Sequence, residues 1–287
     1  MKKISRWCAL AALLLASLFA DAMEWPSREG VLVSNFGRND GGVPVLGNSF
    51  ASLGPIYPSD VGELVFFHDP SSPASRFPSP LGSWMALDHG DNMVGIYGRY
   101  ADLQEERIPT VVEKNTILAP AGISGWTDQE GFYFAFFDRR ERRWINPSII
   151  IAGLEDTRPP VIRQVALRST AGTVYYPSQM RNIPQGLYTV YVDAADTIAT
   201  GETLAPNRII CSLNGAETGM LSFETLTAKS GDRMVYRNGL VPASLVYDPR
   251  GFGLGELRLT RGQATLVIEA LDIAGNTRSV TYRLNVE

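Results

Sequence analysis

The stretch ALDIAGNTRSVTYRLNV (270–286) sets the class of this chain. Val280, Tyr282, Leu284 and Val286 are apolar, and Ser279, Thr281, Arg283 and Asn285 between them are polar. A period of two residues places one face of an extended strand in a core and leaves the other in water. Upstream, Ala264, Leu266, Ile268 and Ala270 repeat the pattern against Thr265, Val267, Glu269 and Leu271. The Gly275-Asn276 step between the two runs suits a tight hairpin. Tyr188, Val190 and Val192 supply a third alternating run. Strands joined by turns in this way read as an antiparallel β-sandwich for the C-terminal half.

Composition extends that reading to the whole chain. With 27 Gly and 18 Pro in 287 residues, a long helical bundle is excluded and many short strands are favoured. Hydrophobic residues at 45% and charged residues at 20% are enough for real cores. A net charge of −4 gives no basic excess for nucleic acid. Two histidines in the entire chain restrict both zinc chemistry and histidine-based catalysis.

Residues 1–22 read as a secretory signal peptide: Lys2, Lys3 and Arg6 precede an apolar run from Cys8 to Ala20, and Ala20-Asp21-Ala22 supplies small residues for cleavage. The expected product is exported, to the periplasm or beyond, and no later segment reads as a membrane span. Loss of Cys8 leaves Cys211 alone, so no internal disulfide is available, and its strand-like context reads as a buried apolar filler. The connection Glu155-Asp156-Thr157-Arg158-Pro159-Pro160 marks a boundary between residues 23–155 and 156–287.

The N-terminal half offers strands at Val31–Phe36, Gly62–Phe67, Trp84–Asp88, Met93–Tyr97 and Gly131–Phe137, with a Pro/Ser loop over 68–82. Here the residues resemble a known family. EWPSREGVLVSNFGRNDGG (24–42), PIYPSDVGELVFF (55–67), GSWMALDHGDNMVGIYGRYADL (82–103), ILAPAGISGW (117–126), GFYFAFFD (131–138) and WINP (144–147) are similar, in order, to segments of the lysostaphin/LytM-type zinc endopeptidases of bacterial cell walls. The resemblance covers about residues 24–150 and implies an antiparallel β-sheet groove. The ending at 270–286 resembles the last hairpin of bacterial immunoglobulin-like domains. The expected fold is all-β: a LytM-type groove domain followed by an immunoglobulin-like β-sandwich.

What the family implies for chemistry is missing from these residues. Its zinc is held by a His-x-x-x-Asp motif and the second His of a His-x-His motif, with an assisting His in Tyr-x-His-Leu. No His precedes His68, and the region expected to hold the first motif reads VPVLGNSFAS (43–52). Phe132-Tyr133-Phe134 stands where the family has His-Leu-His, and Arg99 occupies the assisting position in Tyr97-Gly98-Arg99-Tyr100. A catalytic zinc needs about three protein ligands and an open position, and a guanidinium serves neither as ligand nor as proton shuttle. The groove positions matching family sites are therefore Phe132, Phe134 and Arg99, with no metal, no cofactor and no catalytic residue assigned. His68, at the head of the Pro/Ser loop, and His89 both read as structural or solvent-exposed, the alternative being a new metal site built from them with Asp69, Asp88 or Asp91.

Arg139, Arg140, Arg142 and Arg143 form the one dense basic cluster, read either as a solvated hairpin tip or as a contact for an anionic partner. Three functions stay open. The first is an inactive relative that binds peptidoglycan or regulates a wall hydrolase. The second is an active peptidase with a displaced zinc site, and the third an adhesion or scaffold protein binding proteins or glycans. For Arg99, an internal ion pair with Asp102 or Glu105 competes with recognition of a ligand carboxylate.

Overall fold

The strands form where the alternation puts them. A computed structural model describes residues 22–72, 78–101, 108–152, 156–197 and 201–287. Residues 1–21 of the signal segment, Asp102, Glu105 and Glu155 of the connection lie outside the described residues. The two C-terminal runs become Gly262–Leu271 and Thr277–Val286, paired antiparallel in unbroken register. Ala264, Leu266, Ile268 and Ala270 are buried and the residues between them are not. In the N-terminal half the strands run Val31–Ser34, Gly62–His68, Trp84–Asp88, Met93–Gly98 and Gly131–Asp138. The only α-helix among the described residues is one turn, Pro147–Ile150, capped by the Asn146 side chain on the Ser148 amide. The chain is all-β.

The C-terminal half is built of two sheets around one core. One carries Thr277–Val286, Gly262–Leu271, Arg208–Leu213, Ala216–Lys229 and Asp232–Arg237. The other carries Val161–Ser169, Gly186–Thr197 and Gly251–Leu259. Between them lie Val165, Leu167, Val190, Val192, Ile209, Leu221, Leu266 and Ile268, all buried. Cys211 lies in this core, and burial pushes its thiol pKa up.

In the N-terminal half, Gly131–Asp138 is the central strand. Met93–Gly98 pairs along one side of it, while Asn48–Ala51 pairs with its beginning and Arg143–Ile145 with its end on the other. Its burial is near-continuous, as a strand covered on both faces requires. Phe132, Phe134 and Phe136 enter an aromatic core with Phe50, Trp25 and Tyr97.

The halves share a sheet. Arg143–Ile145 pairs antiparallel with Thr225–Thr227, so the N-terminal sheet continues into the C-terminal one. At that junction Ala216–Lys229 slips register against Asp232–Arg237 between Ser222 and Leu226. The backbone freed by this bulge is taken up by Asn146, whose amide N–H donates to Glu224 O (2.9 Å) and whose Nδ2 donates to Phe223 O (3.1 Å). Asn35 and Ala205 exchange two hydrogen bonds of 2.8 Å, and Tyr247 donates to Gly37 O at 2.6 Å. Phe36 is buried in the C-terminal core. No helix among the described residues is long and apolar enough to cross a membrane.

Candidate functional site

Pairing register decides which residues meet on the face of the N-terminal sheet opposite the aromatic core. Ser49 lies directly across from Tyr133, and Tyr133 from Gly98, the residue before Arg99. Residues opposite one another in antiparallel strands project to the same side. Phe132 and Phe134 therefore point away from Ser49 and Tyr133. Phe132 is 1% exposed and stacks on Phe50 at 4.9 Å, and Phe134 is fully buried. The alternation that buries them turns Tyr133 the other way, although an edge of Phe132 still lines the small cavity beside Arg99.

Arg99 does reach that side. Its Nη1 donates to Ser49 Oγ at 3.2 Å, and its guanidinium lies 5.8 Å from the centre of the Tyr133 ring. Its Nε is buried with no hydrogen-bond partner among the described residues, and no carboxylate among them forms an ion pair with it. Arg99 has φ 66°, a left-handed conformation that is unfavourable for a non-glycine residue. Burial lowers its pKa, with Tyr133 and Asp40 opposing, and a guanidinium in such a place stays charged. Burial moves the Tyr133 phenol far above its usual range, so it stays protonated. A small cavity of about 30 Å³ is lined by Ser49 and Arg99 together with Phe50, Phe132, Gln129 and Gly131.

These donors do not fit zinc. A hydroxyl, a neutral phenol and a fixed cation offer no anionic or imidazole ligand, and the cation would repel a second one. The same set suits an anion: a partly desolvated guanidinium with a free N–H beside a serine hydroxyl matches a carboxylate.

A family model matches residues 159–287. No curated protein matches. Among solved structures, the catalytic domain of a prophage-encoded M23 protein from Enterococcus faecalis is similar at 19% identity over 42% of this chain and 88% of that one, with a TM-score of 0.34. A zinc-containing peptidase from Vibrio cholerae is similar at 18% identity over 47% of this chain and 41% of that one, with a TM-score of 0.37. The solution structure of lysostaphin is similar at 14% identity over 75% of this chain and 85% of that one, with a TM-score of 0.36. These likenesses transfer no site chemistry to this chain.

His68 is structural, not solvent-exposed: it is 1% exposed and packs near Trp84, with ring centroids 6.2 Å apart. His89 is held in a polar network: Nδ1 donates to Val61 O (2.9 Å), and Nε2 accepts from Tyr97 Oη (3.1 Å). Ser59 completes it, its backbone N–H donating to Tyr97 Oη at 2.8 Å. Desolvation lowers the His89 pKa, with the Val61 carbonyl and Asp60 and Asp88 pulling the other way, so the imidazole is neutral. Neither histidine belongs to a set of metal-ligating side chains among the described residues. Of the arginine cluster, Arg139 pairs with Asp88, Arg140 with Glu141 (3.1 Å) and Arg143 with Asp138 (3.6 Å), while Arg142 is exposed at the turn. Most of that charge is therefore balanced within the molecule.

Sequence reasoning missed Ser49 and Tyr133. The signal was present: in Phe132-Tyr133-Phe134 the middle residue must face away from its neighbours. It also missed a set of three carboxylates, Asp156, Asp196 and Asp272, whose oxygens lie within 4.8 Å of one another where the connection meets the last hairpin. Burial, with Asp156 and Asp272 adding to it, pushes Asp196 up to about 7.

Proposed function

We propose that this is an exported envelope protein in which residues 23–155 keep the outline of a LytM-type peptidase but bind cell-wall peptide instead of cutting it, with 156–287 as a second structural unit. The observation that carries this reading is Arg99, a partly buried cation with a free N–H, beside Ser49 and Tyr133 and without a carboxylate partner among the described residues. A buried charge needs a counter-charge, and wall peptides end in carboxylates. The ordered resemblance of residues 24–150 to wall peptidases supports that target, and the basic start of residues 1–22 supports export.

In mechanism, Arg99 supplies the charge-assisted hydrogen bonds and Ser49 a neutral donor. The Tyr133 ring holds the guanidinium in place from one side. No group here can activate water, so the complex is the end of the process. Sedimentation with purified peptidoglycan tests this: Arg99→Ala should weaken binding about tenfold or more while the thermal midpoint changes little. Unchanged binding with a lower midpoint would make Arg99 a scaffold residue. One zinc per chain together with wall hydrolysis would favour the displaced-site peptidase.

A further inference from the structure

A second site lies in the C-terminal half, on the outer face of the sheet that the two halves share. Register places Arg208 opposite Ser222 and Ser222 opposite Tyr236, so the three side chains form a row across three strands. Glu224 lies two residues beyond Ser222, where the strand slips register against Asp232–Arg237. Bulges re-aim side chains and open a sheet face. Here these residues, with Met220 and Thr225, line a cleft of about 280 Å³.

The chemistry of the cleft is specific. Arg208 Nη2 donates to Glu224 Oε1 at 2.5 Å, so the pair leaves almost no net charge for an ionic ligand. Arg208 Nε and Ser222 Oγ are nonetheless buried without a hydrogen-bond partner among the described residues, and Ser222 is only 5% exposed. Buried polar atoms of this kind are almost always satisfied, and leaving one unpaired is costly. At the margin, Tyr236 is 40% exposed. An aromatic face beside a donor, a hydroxyl and a charge-neutral ion pair matches a ligand with an apolar ring face and hydroxyls that both donate and accept.

We propose that this cleft binds a neutral saccharide, with Tyr236 as the platform and Arg208, Ser222 and Glu224 reading its hydroxyls. The site is independent of Arg99 and stands whether or not the wall-peptide reading holds. The test is calorimetric titration of the purified protein with chitotetraose, cellotetraose and maltotetraose, with a poly-γ-glutamate oligomer as the charged control. At least one neutral sugar should bind. Tyr236→Ala should weaken that binding about tenfold or more and Tyr236→Trp should restore it. Ser222→Ala should weaken it with the thermal midpoint held or raised, because an unsatisfied hydroxyl is removed. Absence of binding by all three sugars would overturn the proposal. So would sugar binding indifferent to Tyr236→Ala, or binding of the charged control alone.

Discussion

At the residue scale, two buried titrating groups give the molecule opposed responses to pH. The neutral His89 has a folded pKa below its ordinary 6.5, so the unfolded chain binds a proton that the folded one resists. Its contribution to stability is complete above pH 6.5 and is lost as pH falls from there through the folded pKa. Asp196 behaves in the other sense. Held at about 7 against an ordinary 3.8, it keeps a proton in the folded state that the unfolded chain releases. Its stabilising contribution is present below pH 3.8 and disappears as pH rises through about 7. Asp196→Asn should therefore raise stability at pH 8 by an amount on the order of 1–2 kcal/mol, read as a higher thermal midpoint, and change little at pH 4. A midpoint at pH 8 equal to or below that of the parent would contradict this. His89→Gln should flatten the loss of stability between pH 6.5 and 5, read from thermal melts across that window.

At the element scale, the turn after Val31–Ser34 fixes how the halves meet. Gly37 has φ 79°, and a Cβ there would come within 2.6 Å of the Phe223 ring, which is buried in the C-terminal core. Gly37→Ala should cost on the order of 2–4 kcal/mol, from left-handed strain and from overpacking together. Gly41 supplies the control. It also has positive φ, 61°, but nothing lies within 4 Å of a Cβ there, so Gly41→Ala should cost about 1 kcal/mol or less. Urea unfolding of the two variants measures the difference, and equal losses would mean that Gly37 does not set the junction.

The bulge at Ser222 is the second element-scale device. Phe223 O and Glu224 O accept from Asn146, which is 5% exposed. Asn146→Ala removes one of those two bonds and the cap on Ser148. It should lower stability by about 1–3 kcal/mol in the same assay.

At the scale of the whole molecule, the question is how far the halves are separable. The C-terminal core is made almost entirely of its own residues, with Phe36 its one fully buried member from the N-terminal half. The same half lends its sheet edge at Thr225–Thr227 to Arg143–Ile145. Residues 156–287 should then fold cooperatively alone, yet melt below the same half in the full chain, because that edge and the Phe36 site are exposed. Residues 23–155 supplied in trans should bind the fragment and raise its midpoint. A fragment that stays molten in the presence of its partner would show that the two form one folding unit.

The period-two alternation in 262–286 and the strands of the N-terminal half were legible because each strand's burial depends on its own neighbours in sequence. That the family's own ligand motifs are missing was legible directly, since no histidine stands before position 68 or at 132–134. Which face a residue takes in a strand buried on both sides was not. Alternation says that Tyr133 faces away from Phe132 and Phe134, but only pairing with Ser49 and Gly98 showed which of the two faces carries Arg99. The burial of His68, the sharing of one sheet by two halves, the three-carboxylate cluster and the Ser222 cleft likewise belong to tertiary structure. Each depends on residues far apart in the chain, brought together by register and by a bulge, and neither composition nor local periodicity specifies those.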